Sequence, residues 1–432
     1  MILKKLSTAI LSMIVLSVTL AAQVVAPAPP QTQPIAIVGG TAHLGTGAVI
    51  EDALITFDGG KITLVSGNKT KRNLSGYKII EAGGKHIYPG FITPNTDLGL
   101  IEISAVRATR DTREVGTYNP NIRSLIAYNT DSEIIPTVRS MGVLVAQVTP
   151  QGGRISGSSS IVSLDAWNWE DAAIKADDGI HLNWPQAMRF DWHSRTIAAN
   201  KNYDKQVSEM LNYFKEAAAY AKKKNPVEKN LRFEAMKPLF SHKANLYIHA
   251  NTAKAITQAV VMAEKFDIKP VIIGGNESWM ITDFLKEHKI AIILNKTHQL
   301  PASADDDIAQ PFKTPAILQK AGIPFCLSMN GGWSSWQSRN LPFQAGQAVA
   351  YGLDYEDAVR AISLNAAKIL GVDNQLGSIE VGKDATLFIS EGDVLDMRTS
   401  KVTKAFIQGR DINLDNKQKE LYRKFELKYH QR

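Results

Sequence analysis

His249 closes the apolar run NLYIH at residues 245–249, where a parallel strand would deliver a side chain to an active-site face. An imidazole there is either a metal or proton-handling group or a structural hydrogen-bonding one. The carboxylates Asp97, Glu102, Asp165, Asp177, Asp178 and Glu277 fall near expected strand ends or in the stretch 151–192. Two of them at the right separation would do acid–base work, as in glycosidic cleavage. The competing reading is surface or helix-capping duty. The segment QGGRISGSSS, residues 151–160, joins glycines and serines to Arg154. Backbone N–H groups and a guanidinium so arranged suit an anion; a flexible loop is the alternative. It lacks the GK[ST] ending of a phosphate loop and the G-x-S-x-G of a nucleophile elbow. Trp167, Trp169, Trp184 and Trp192 follow closely and would line a pocket for a flat or sugar-like ligand, or pin a long loop. Arg154, Trp167 and Trp169 are the candidate substrate contacts. His181, His193 and His298 fall in expected loops, with solvent-facing or packing roles, and His242 reads as a surface residue. Cys326, the single cysteine, sits in IPFCLS and reads as a buried, inert thiol.

The elements that must position these residues alternate. Apolar runs at 143–148, 245–249, 270–273, 290–294 and 324–327 read as strands, with helices at 204–224, 253–266, 278–288 and 315–321. Strands alternating with helices imply βα units, and this many suit a (β/α)₈ barrel with its site at the C-terminal strand ends. A doubly wound open sheet is the second choice, but no Gly-rich phosphate turn follows the first strand. Short strand patterns at 35–38, 48–57 and 61–65 are matched by others at 385–389 and 402–408. The expected architecture is therefore an α/β chain: a (β/α)₈ barrel over 89–374, including an irregular excursion at 151–192, and a small β-sandwich built from 35–88 and 375–415.

Composition bounds the rest. The 432 residues are 44% hydrophobic and 21% charged, which excludes a disordered chain, and one cysteine excludes a disulfide scaffold. The net charge is +7, with basic runs at 222–224 and in the charged tail 416–432. These read as solvated helix faces, with no nucleic-acid-binding module. Residues 1–22 have a basic start (Lys4, Lys5), an apolar run and small residues at Ala21 and Ala22, the pattern of a secretory signal. A Pro/Gln/Ala-rich flexible leader follows at 23–34. The expectation is an exported protein, periplasmic or secreted, with no stable membrane anchor.

Four segments carry a family resemblance: GGKHIYPGFITPNTD (83–97), NLYIHANTAKAITQAVVMAEKFDIKPVIIGGNES (245–278), GIPFCLSMNGG (322–332), and AISLNAAKILGVDNQLGSIEVGKDATLFISEGDVLDMRTSKVTKAFIQGRDI (361–412). Together they resemble the amidohydrolase superfamily in its imidazolonepropionase-like branch. The resemblance implies metal-assisted hydrolysis, with zinc or another divalent ion activating water. It also implies ligands at a His-x-His pair on the first barrel strand, at histidines on the fifth and sixth, and at an aspartate on the eighth. At those positions this chain has Asn95 and Asp97, His249, Gly274 or Gly275, and Asn330 (Met329 if the register slips). The aspartate of the family's PGFID is Thr93. One familiar ligand of the five remains. His249 and Asp97 are the candidate metal ligands, with Glu102 or Glu277 as further donors for a carboxylate-rich site.

Two functions follow. The resemblance implies a hydrolase of non-peptide, amide-like C–N bonds. The replaced ligands point to a non-catalytic homologue that binds a small molecule or stabilises a partner, alone or as a homo- or hetero-oligomer.

Overall fold

The computed structural model describes residues 26–430 apart from 68, 71, 192–194, 225, 227 and 330–333. The expected signal at 1–22 therefore lies outside the described residues, as do Trp192, His193 and Asn330.

Eight strands form one nearly closed barrel sheet: β1 (Phe91–Thr96), β2 (Val143–Val148), β3 (Ile155–Ser163), β4 (Ala173–Asn183), β5 (Asn245–Ala250), β6 (Pro270–Gly274), β7 (Ala291–Leu294) and β8 (Phe325–Leu327). Neighbours in the sheet are neighbours in sequence. The β1–β2 pair and the run β4 to β8 are parallel. Residues 362–365 bridge the seam between β1 and β8: Ile92 N–H donates to Ile362 O, and Asn365 Nδ2 to Phe325 O.

The all-parallel (β/α)₈ expectation needs one correction, because β3 runs antiparallel to both β2 and β4. Only residues 149–154 join β2 to β3, and a parallel crossover needs a dozen or more. The stretch 151–192 is thus no excursion from the barrel, since it supplies the whole of β3 and β4. Its small polar residues hid the strand. β3 (ISGSSSIVS) is buried along its whole length, so it shows no apolar alternation.

Side chains alternate across the barrel wall. Leu246 and Ile248 of β5 join Leu144, Ile272 and Ile292 in the outer core beneath the helices. Val145, Ile161, Tyr247, Ile273, Ile293 and Cys326 point the other way and fill the interior, with Ala366, Ala367 and Leu370 of helix Leu364–Leu370. Cys326 is fully buried there, and burial pushes its thiol pKa up.

The N- and C-terminal segments interleave in two further sheets. Strand Leu387–Ser390 pairs antiparallel with His86–Pro89 in a six-stranded sheet, and Ile35–Val38 and Ala53–Asp58 lie in a four-stranded one. The two share a core in which the Phe57 and Phe406 rings meet at 5.1 Å. Residues 26–34, read as a flexible leader, are instead held in place. Ala28 N–H donates to Asp165 Oδ2, Arg410 donates to Ala28 O, and Gln31 bonds Phe57 O and Gly60 N–H. The charged tail is a helix, Lys417–His430.

Candidate functional site

The C-terminal ends of the parallel strands gather a polar cluster. On β4 the sequence GIHLN puts Ile180 and Leu182 in the outer core, so Gly179, His181 and Asn183 face inward. On β5, Tyr247 and His249 face inward in the same way. His181 lies opposite Tyr247 in the β4–β5 register, and Asn183 opposite His249. The His181 and Tyr247 rings stack at 4.8 Å. Gly179 makes room for this: a Cβ there would stand 2.3 Å from Tyr247 Cε2.

His181 Nδ1 and His249 Nε2 are 3.0 Å apart and share one N–H. Burial lowers the pKa of both imidazoles, that of His249 to about 4; for His181, its neighbour His249 adds to the effect. Both rings are therefore neutral near pH 7. His181 Nε2 is buried without a hydrogen-bond partner among the described residues. His181 was expected in a loop and is instead a fully buried strand residue. Its signal was the alternation GIHLN, obscured by the Gly/Ser/Asp-rich flanks.

Below the pair lies Asp178, fully buried. Tyr247 Oη (2.6 Å) and Gln147 Nε2 (2.9 Å) donate to its Oδ2, and Ser159 Oγ (2.6 Å) to its Oδ1. Burial raises the Asp178 carboxyl above its ordinary value despite these donors. Gln147 extends the network to β1 by accepting from Asn95 N–H at 3.0 Å. Asn95 sits at a register shift at the end of β1, with φ +50°, a left-handed conformation that asparagine tolerates. Its Nδ2 is buried without a partner among the described residues. Asp97, also buried, accepts from Gln151 Nε2 at 3.4 Å.

The rim is amide-rich. Asn295 Nδ2 donates to Asn251 Oδ1 (3.2 Å) and Asn276 Oδ1 (2.8 Å), and Gln299 Nε2 donates to Asn276 Oδ1 (3.2 Å). A small pocket between the β6 and β7 ends is lined by Asn276, Asn295, Thr297, Gln299 and Asp306. Gly274 and Gly275 hold left-handed φ angles of +106° and +64°. A Cβ on Gly274 would lie 2.2 Å from Asn251 Oδ1, and one on Gly275 2.9 Å from Ile292 Cγ2. A histidine would not fit here without moving the backbone.

The candidate substrate contacts divide. Arg154 is at the mouth, where its guanidinium binds Asn183 O and Gln206 Oε1 and ties the β2–β3 loop to the end of β4. Trp167 and Trp169 lie in the β3–β4 connection. Because β3 is reversed, that connection is at the opposite end of the barrel. Trp167 is 65% exposed there and Trp169 packs on the outer core, so neither faces His249. Trp184 is at the mouth: its N–H donates to His249 O and its Nε1 to Tyr203 Oη.

The other carboxylates serve the scaffold. Glu277 Oε2 accepts from Ala253 N–H at the start of helix Ala253–Glu264, and Glu102 Oε1 from Glu133 N–H. Asp177 pairs with Arg123. Asp165 pairs with Arg139 and Arg410. Among the described residues no group of three or more His, Cys, Asp and Glu side chains is placed to hold a metal ion. A catalytic zinc is usually held by three protein ligands. The donors described do not fit such a centre.

Residues 320–413 match the model of the amidohydrolase family. An amidohydrolase from Thermotoga maritima MSB8 has the same fold, with a TM-score of 0.75 at 23% identity over 88% of this chain and 99% of its own. A prolidase complexed with N-methylphosphonate-L-proline matches with a TM-score of 0.53 at 16% identity, covering 88% and 99%. An adenosine deaminase from Xanthomonas campestris with bound zinc matches at 0.52 and 14%, covering 89% and 93%. No curated protein matches the chain. The family-model match bears out the resemblance over residues 320–413, and these neighbours share the fold.

Proposed function

We propose that this chain is an exported member of the amidohydrolase superfamily whose barrel mouth binds a small neutral molecule and has given up the family's metal-activated hydrolysis. The observation that carries this reading is the character of the inward-facing groups. Two neutral imidazoles bonded to each other and a set of carboxamides occupy the strand ends where a zinc enzyme needs anionic and imidazole ligands. Asn95 Nδ2 and His181 Nε2 are buried polar atoms with capacity left for a ligand. The imidazolonepropionase-like branch, the pairing of the two terminal sheets as a β-sandwich, and the loss of metal ligands at positions 95, 275 and 330 belong to the same proposal. So do periplasmic or secreted location and assembly with a second copy or an intact homologue.

A second reading, hydrolysis of an amide-like C–N bond, draws on the match at 320–413 and the shared fold. One set of measurements separates the two. Purified protein is analysed for metal and assayed against amide and lactam panels before and after chelation. The proposal expects substoichiometric metal, no chelator-sensitive turnover, and thermal stabilisation by neutral amide or lactam compounds that His181→Ala or Asn95→Ala abolishes. Stoichiometric zinc with chelator-sensitive turnover would establish the hydrolase instead.

A further inference from the structure

The C-terminal helix Lys417–His430 has a face that no described residue covers. Its base is rooted: Asn416 Nδ2 donates to Ser140 Oγ, Thr137 Oγ1 donates to Gln418 Oε1, and Asn416 Oδ1 accepts from Lys419 N–H as a cap. Arg423 forks onto Asp415 at 3.0 and 2.5 Å. Beyond that first turn the helix buries no residue. Isolated helices of this length are marginal in water, so its outer turns draw little stability from the chain itself.

Four of the five exposed apolar residues share one side of the helix, while Leu427, 64% exposed, lies on the other. Leu421, Phe425 and Tyr429 are spaced four apart, and Tyr422 adjoins them, giving one stripe along the helix. Their exposures run from 41% to 68%. Lys417, Lys424 and Lys428 lie along one flank of the stripe, with Lys419 and the Asp415-paired Arg423 along the other. The five Lys and Arg residues outnumber Glu420 and Glu426. Lysine stems beside an apolar stripe let the ammonium groups reach upward while the stem covers hydrocarbon. Tyrosines and a phenylalanine between two cationic flanks are the composition of a helix lying in a lipid headgroup layer.

We propose that this helix docks the protein, in the plane of the surface, onto an anionic lipid bilayer. Charge complementarity selects that occupant. A second copy would bring the same basic helix against this one, on a chain whose net charge is +7. No described helix is long and apolar enough to cross a membrane, which agrees with surface docking rather than spanning. The proposal does not depend on what the barrel mouth binds.

The test is co-sedimentation of the full chain, without its first 22 residues, with phosphatidylcholine vesicles containing or lacking phosphatidylglycerol. Binding is expected to the phosphatidylglycerol vesicles and to be reversed by salt. Each lysine removed should cost roughly fivefold in affinity, so Lys417→Gln/Lys424→Gln/Lys428→Gln should lose on the order of a hundredfold. Phe425→Ser/Tyr429→Ser should also weaken binding, at an unchanged melting temperature, since neither side chain is buried. Absence of binding, or equal binding to both vesicle types, overturns the proposal. So does a dimer in sedimentation equilibrium that Phe425→Glu dissolves, because the stripe would then be covered by a second copy.

Discussion

Replacing His249 with asparagine should flatten the acid side of the protein's stability profile. An unfolded imidazole takes its proton as the pH falls through about 6.5. In the fold, burial holds His249 neutral down to about 4. The folded pKa is the lower one, so the stability from keeping this ring neutral is fully present above pH 6.5 and is lost as the pH falls toward 4. The slope is about 1.4 kcal/mol per pH unit, and the span between the two values makes the total about 3 kcal/mol. His181 is depressed in the same direction, and partly because of His249, so the substitution also relieves its neighbour. Asparagine is neutral at every pH, and because its side chain falls short of the His249 Nε2 position the lost contact with His181 adds only a pH-independent offset. Urea unfolding of parent and His249→Asn at about pH 7.5 and about pH 4.5 isolates the effect of the histidine pair, because titrating groups outside the pair cancel in the comparison. The parent should lose about 2–3 kcal/mol more than the variant over this interval. An excess below about 1 kcal/mol would refute a buried neutral pair and with it the electrostatics assigned to the barrel mouth.

Asp165, 4% exposed, accepts from Arg139, Arg410 and Ala28 N–H. Asp165→Ala should cost about 3–5 kcal/mol in urea unfolding by stranding the buried Arg139 cation, and adding Arg139→Met should return most of it. Tyr247→Phe removes one of three donors to Asp178, and a loss of about 1–3 kcal/mol in the same assay is expected. Gly179→Ala forces a Cβ against the Tyr247 ring. It should destabilise by about 1–3 kcal/mol and shift the His181 ring resonances in NMR spectra.

The βα rhythm of this chain is local information. Strands buried on both faces tend toward continuous apolar runs, so Val143–Val148, Asn245–Ala250, Pro270–Gly274, Ala291–Leu294 and Phe325–Leu327 announce themselves. The terminal strand segments were visible for a related reason, since they alternate or run apolar between Gly-rich turns. The sequence also marked His249 and the inertness of Cys326. It could not show that Ser158, Ser159 and Ser160 are wall residues of a barrel. Small hydroxyls are acceptable in a buried strand only when distant partners satisfy them, as Asp178 and Gln147 do for Ser159. Nor could it show that β3 is reversed, and that reversal sends Trp167 and Trp169 to the far end of the barrel from His249. The His181–His249 pair spans 68 positions and exists only because β4 and β5 are adjacent in register. Residue type and period are written along the chain. Which polar groups meet, and which remain neutral, depends on closing the sheet, because burial and long-range hydrogen bonds arise only then.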